Sequence, residues 1–163
     1  MERTTFSGMH CSVAQCLEVS GDWWTLLIVR DVFLGARRFD DLQARLGISR
    51  NTLNKRLARL VEVDVLKKVP YSERPPRFEY RLTERGRDLW PVIDAMRQWG
   101  DKHAAPDGPP VQIVHEGCGH RVDPVLCCPA CGDALEARDV RAVAGPGEVE
   151  RLVLSDDNDS RSS

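Results

Sequence analysis

The chain is poor in the features that announce a membrane protein or an enzyme. Its longest apolar stretch, Trp23 to Val29, stops at Arg30, far short of the ~20 residues that cross a bilayer. Its first residues, MERTTFSGMHCS, carry no apolar secretory leader. No cofactor-cradling loop and no nucleophile–base pair can be read along it. A small zinc or thiol oxidoreductase using Cys11 or the Cys128/Cys131 pair therefore stands only as an alternative. These absences point to a cytoplasmic chain. Cysteines stay reduced there, so the six present suggest metal binding or redox sensing rather than a disulfide framework.

Charge of one sign is nearly balanced overall, at a net −2, but it is not evenly spread. From Arg30 to Trp90 there are 15 lysines and arginines against 9 acids. From Asp101 to the end there are 6 against 12. A basic middle ahead of an acidic tail suggests that the middle meets a polyanion.

The pattern divides into a flexible arm (1–10), a main domain (11–103), a linker (104–112), a cysteine-rich appendage (113–148) and an acidic tail expected to be disordered (149–163). Val13, Cys16 and Leu17 fit one face of a short first helix. After Gly21, Trp24, Leu27, Ile28 and Leu34 continue a longer one that ends at Gly35. FDDLQARL reads as a third helix with Phe39, Leu42 and Leu46 inward. GIS is a tight turn, and Ser49 caps RNTLNKRLARL, whose buried stripe is Leu53, Leu57 and Leu60. Strands are expected near Leu66–Val69 and Phe78–Leu82, joined by a proline-punctuated loop too long for a two-residue hairpin. Thr83 caps the next helix, and Pro91 kinks or restarts it.

Helix, glycine-containing turn, helix, then a basic hairpin is the layout of a winged helix-turn-helix. The fold class is thus mainly α with a small β-hairpin wing. The second helix of the pair shows Arg50, Asn51, Asn54, Lys55 and Arg59 on its outer face, with Ser49 at its start. Asparagine and arginine suit base edges in the major groove of double-stranded DNA. Lys67, Lys68, Arg74 and Arg77 lie on or beside the wing, where phosphates or the minor groove are within reach. Arg37 and Arg38, ahead of the pair, are placed to clamp the backbone.

Several pieces together resemble the HxlR family of transcriptional regulators, relatives of the MarR class. They are a cysteine before the first helix, GDWWTLLIVR, RRFDDL, ISRNTLNKRL, PPRFEYRLT and a late Trp-Gly. The resemblance covers residues 11 to about 103. It implies a homodimeric regulator of transcription that binds DNA. Leu89, Val92, Ile93, Met96 and Trp99 form a stripe suited to a dimer interface. A symmetric dimer would read a palindromic operator with half-sites about 34 Å apart. In several such regulators the cysteine matching Cys11 senses oxidants or electrophiles. Its place at a helix start favours that chemistry, because free N–H groups stabilise a thiolate. A thiol-reactive compound or another small molecule is the expected signal.

The appendage contains HEGCGHRVDPVLCCPACG. Two knuckles can be drawn, His115-x-x-Cys118-Gly119 and Cys128-x-x-Cys131-Gly132. Together they resemble a zinc ribbon with one cysteine replaced by histidine, holding one structural Zn2+ through His115, Cys118, Cys128 and Cys131. His120 and Cys127 leave rival ligand sets open, Cys118, His120, Cys128 and Cys131 among them. RVDPVL is expected to supply one ribbon strand and LEARDVRAV another. The ribbon can equally be drawn as a protein-interaction module, with the winged helix as its scaffold.

Overall fold

The computed structural model describes residue 6, residues 8 and 9, and residues 11–147. Most of the expected arm and all of the expected acidic tail lie outside these residues. The chain divides into two units. One is Cys16–Gln112; the other joins the residues before Cys16 to those from Ile113 onward.

Among the described residues, six helices and a hairpin precede the appendage. Helix α1 (Ser12–Ser20) leads into α2 (Trp23–Phe33), α3 (Phe39–Leu46) and α4 (Arg50–Glu62). Strands β1 (Leu66–Glu73) and β2 (Pro76–Leu82) follow, then α5 (Glu84–Arg87) and α6 (Trp90–His103). Their ends are chemically marked. Asp22 caps α2 by accepting the N–H groups of Trp24 and Thr25. Gly47 closes α3 at φ +66°, a left-handed conformation that glycine adopts without a Cβ penalty. Ser49 Oγ accepts the Thr52 N–H at the start of α4, and Thr83 Oγ1 accepts that of Gly86 at α5. Pro91 marks a restart: it sits in the first turn of α6, where its missing N–H costs nothing.

Leu53, Leu57 and Leu60 are fully buried, as their spacing predicts. They meet Ile28 and Val29 of α2, Leu42 of α3, Val65 just ahead of the hairpin, and Leu66 and Tyr80 within it in one core. Phe39, Leu46, Leu89 and Ile93 pack at its edge. Burial raises the pKa of the Tyr80 phenol. Asp31 is buried too. Its Oδ1 accepts Arg30 Nε and Nη2 at 3.0 and 2.9 Å, and Arg45 Nε of α3 stands 3.7 Å from Oδ2. A carboxylate flanked by two guanidinium groups ties α2 to α3.

Three expectations need correction. The α1 face of Val13 and Leu17 is exposed; α1 buries Ala14 and Ser20 instead. Leu34 also points outward, because α2 ends one residue before it. The hairpin has a two-residue turn rather than a long loop. Glu73 pairs with Pro76 across Arg74 and a cis-linked Pro75, and the register shifts between Pro70 and Ser72. Prolines are tolerated there because both strands are edges with N–H groups to spare.

The base of the wing is held at one point. Val65 O accepts the Thr83 N–H at 3.2 Å, Asp64 O accepts Thr83 Oγ1 at 2.6 Å, and a Cβ on Gly86 would collide with Val65 O. Only glycine fits that crossing. On the other side, Arg38 bridges to Glu79 and Tyr80 N–H donates to Arg37 O at 2.7 Å. The segment before α3 thus runs along β2.

In the appendage β3 (Ile113–Val114) pairs antiparallel with β4 (Arg121–Val122). Arg121 and Val122 come from RVDPVL, as expected, but their partner lies before the first knuckle. LEARDVRAV forms a turn of 3-10 helix at Ala137–Asp139, where Glu136 and Asp139 satisfy each other's backbone, rather than a strand.

Candidate nucleic-acid interface

The buried leucines of α4 turn its opposite face outward. Asn51, Asn54 and Lys55 are exposed there, and no ion pair engages Lys55 among the described residues. Arg50 is exposed but tied back to α3. Its Nη1 donates to Asp40 Oδ1 and Gln43 Oε1, each at 3.1 Å, and its guanidinium lies 4.7 Å from the Phe39 ring centre. Arg59 is half-buried near the end of α4 and pairs with Glu62 at 3.0 Å. Ser49 serves the helix start. On the outer face of α4, Asn51, Asn54 and Lys55 are therefore the exposed polar side chains not tied back to a neighbour among the described residues.

On the wing Lys67, Lys68, Arg74 and Arg77 are all exposed. Lys67 stands opposite Arg81 across the hairpin, and Arg74 occupies the turn. Lys68 Nζ lies 5.9 Å from the Phe78 ring centre. Arg38 lies over the Tyr71 ring at 4.6 Å, with its Nε 3.7 Å from Glu79. Arg37 is exposed beside it. The bridge to β2 thus adds Arg37 and Arg38 to the wing's cationic surface. Sequence reasoning missed the exposed aromatics Tyr71 and Phe78, which alternate with these cations. It also missed Arg56 of α4, whose Nε lies 2.8 Å from Asp22 Oδ2.

The α6 stripe splits. Leu89 and Ile93 serve the core, whereas Val92, Met96 and Trp99 are exposed on the helix. The Trp99 and His103 ring centres lie 5.2 Å apart, with the rings tilted by 47°. Asp94, which is buried, receives Arg97 Nε at 2.8 Å and Gln98 Nε2 at 2.7 Å.

Cys11 is exposed at the threshold of α1, and its carbonyl accepts the Gln15 N–H at 2.9 Å. Arg3 and His10, near it in sequence, lie outside the described residues. In the appendage His115 Nδ1 stands 3.2 Å from Cys118 Sγ. Cys128 is half-buried, and its pKa is lowered by hydrogen bonds from the backbone of Cys131 and Ala130. Cys127 sits apart, in a bridge with Ala134. Of the four expected ligands, His115 and Cys118 stand together as one pair, and Cys128 and Cys131 as another. Among the described residues, no three His, Cys, Asp or Glu side chains converge as one metal site. Nor is any described helix long and apolar enough to cross a membrane.

Residues 19–107 match the family model for the HxlR-like helix-turn-helix. An uncharacterized HTH-type transcriptional regulator of Mycobacterium tuberculosis, Rv3095, is 49% identical over 145 residues, which cover 88% of this chain and 92% of the relative. An alignment of that length cannot fit within residues 1–112, so it takes in the cysteine-rich segment. The crystal structure of PA1607, described as a candidate transcription factor, is 40% identical, with a TM-score of 0.76 over 87% of this chain and 100% of its own. The redox regulator HypR in its reduced form matches a shorter part. It is 29% identical, with a TM-score of 0.53 over 56% of this chain and 92% of HypR. These relatives are regulators, which sets the oxidoreductase alternative aside. The winged helix, its outward asparagines and these likenesses agree: the chain belongs to the HxlR family of helix-turn-helix transcriptional regulators.

Proposed function

We propose that the chain acts as a homodimer that binds a palindromic operator in double-stranded DNA. The observation that carries this is the outer face of α4, where Asn51, Asn54 and Lys55 are exposed above a fully buried leucine stripe. Asparagine pairs with adenine through two hydrogen bonds and so supports base reading. The wing cations Lys67, Lys68, Arg74 and Arg77, with Arg37 and Arg38, hold phosphates and set the register. Val92, Met96 and Trp99 supply the dimer face, since an exposed apolar strip on a helix favours a self-complementary contact. Fluorescence anisotropy on the DNA upstream of the chain's own gene, against random duplex, tests the reading. A strong preference for the upstream duplex, and a footprint over two half-sites, are expected. Equal binding to both duplexes overturns specificity, and protection of a single half-site at saturation overturns the dimer.

Regulation through Cys11 is a second reading. It is favoured by the exposure of Cys11 at a helix start and by the likeness to a redox regulator. A thiol oxidant should alter DNA binding by the wild type and leave Cys11→Ser unchanged. An equal response of both proteins overturns it.

A further inference from the structure

The described appendage, residues 113–147, contains no buried side chain; only Ile113, Val122 and Cys128 are half-covered. Apolar packing therefore does little to order it. Yet its backbone makes the same loop twice. In the first knuckle Gly119 N–H donates to His115 O at 2.7 Å, and His115 N–H donates to His120 O at 2.9 Å. In the second, Gly132 N–H donates to Cys128 O and Cys128 N–H to Asp133 O, both at 2.8 Å. The spacing is identical in each loop. Gly119 and Gly132 are both left-handed, at φ +71° and +81°. Each loop carries a nitrogen or sulfur donor at its first and fourth positions: His115 and Cys118, then Cys128 and Cys131. In the first, the imidazole lies beside the sulfur and over Gly117, where a Cβ would stand 3.1 Å from the ring.

We propose that the two knuckles together hold one zinc ion through His115, Cys118, Cys128 and Cys131. The donor set suits zinc, which takes tetrahedral histidine–thiolate sites and needs no redox partner. The congruence of the loops selects among the six candidates. His120 matches Asp133, so it occupies the position after the knuckle rather than a ligand position. Cys127 lies one residue ahead of its knuckle, with its sulfur 3.9 Å from Val125 O. No three of these donors converge among the described residues, so the ion would have to draw the two pairs together. Each ligating thiol releases its proton to water, and no electron moves. The ion then replaces the missing core, as small domains without one require. This site is independent of the DNA-binding reading.

The test uses the full chain, purified after growth with added zinc. Metal analysis should find one zinc per chain. Alkylation followed by mass spectrometry should find Cys118, Cys128 and Cys131 shielded and Cys127 open, with shielding lost on chelation. Competition against a chromophoric chelator should show at least tenfold weaker binding in His115→Ala and Cys131→Ser. His115→Cys, Cys127→Ser and His120→Ala should keep the metal. The six α-helices among the described residues lie within residues 12–103, so the far-ultraviolet helical signal shows that each variant has folded its main domain. A metal-free chain that takes up none, retention by folded His115→Ala, loss in His120→Ala, or a Cys128–Cys131 disulfide overturns the proposal.

Discussion

Arg56, midway along α4, places its Nε 2.8 Å from Oδ2 of Asp22, the carboxylate that caps α2. Asp22 therefore both starts α2 and fastens α4 to it. Asp22→Ala should lower unfolding stability by about 1–2 kcal/mol, since a lost N-cap costs about 1 kcal/mol and a part-exposed ion pair adds a few tenths. Asp22→Asn should lose only the smaller part, because asparagine caps as well. Urea unfolding of the three proteins measures this, and equal losses in both variants would show that the cap is not the larger contribution.

Base reading and phosphate holding should separate in mutants. Asn51→Ala and Asn54→Ala are expected to cost about 1–3 kcal/mol on the operator and little on random DNA. Lys67→Ala and Arg74→Ala should weaken both duplexes alike and reduce the slope of log affinity against log salt by about 1 for each phosphate no longer neutralised. Affinity series at several salt concentrations distinguish the two classes. A uniform loss from all four variants on both duplexes would reverse the assignment.

Trp99→Asp and Met96→Asp place charge on the open strip of α6 and leave Leu89 and Ile93 in the core. Sedimentation should show dimer giving way to monomer with the helical signal unchanged. A wild type that sediments as a monomer at micromolar concentration would contradict the proposed interface.

Leu57→Ala tests the core beneath the reading face. A fully buried leucine cut to alanine costs roughly 2–5 kcal/mol. Thermal unfolding should show a large drop, and a change under about 1 kcal/mol would mean that α4 packs less tightly than its burial indicates.

The legible parts of the fold are those written in local spacing. Leu53, Leu57 and Leu60 recur at helical intervals, and Ser49 and Thr83 stand where free N–H groups begin. Other features depend on partners far along the chain. Arg50 looks like a base reader on its own helix, but Asp40, Gln43 and Phe39 engage it from α3. Arg38 reaches the wing only because its segment bridges to Glu79. Prolines ordinarily break strands, so the turn at Arg74 and Pro75 reads as a long loop; the pairing continues to Glu73 and Pro76 because both strands are edges. The knuckles are visible as motifs, but nothing in their spacing tells that the strand facing β4 comes before them rather than after.

The meeting of Val65, Thr83 and Gly86 at the root of the hairpin gives the wing a mechanical character. A hairpin pinned at its base and free at Arg74 behaves as a lever with a fixed fulcrum. Under the proposed function, load applied at its tip by a phosphate backbone would reach Thr83, the residue on which α5 begins. With no Cβ at Gly86 to cushion the crossing, the joint has little slack. A displacement of the wing would therefore meet the start of α5 first, at Thr83 and Gly86.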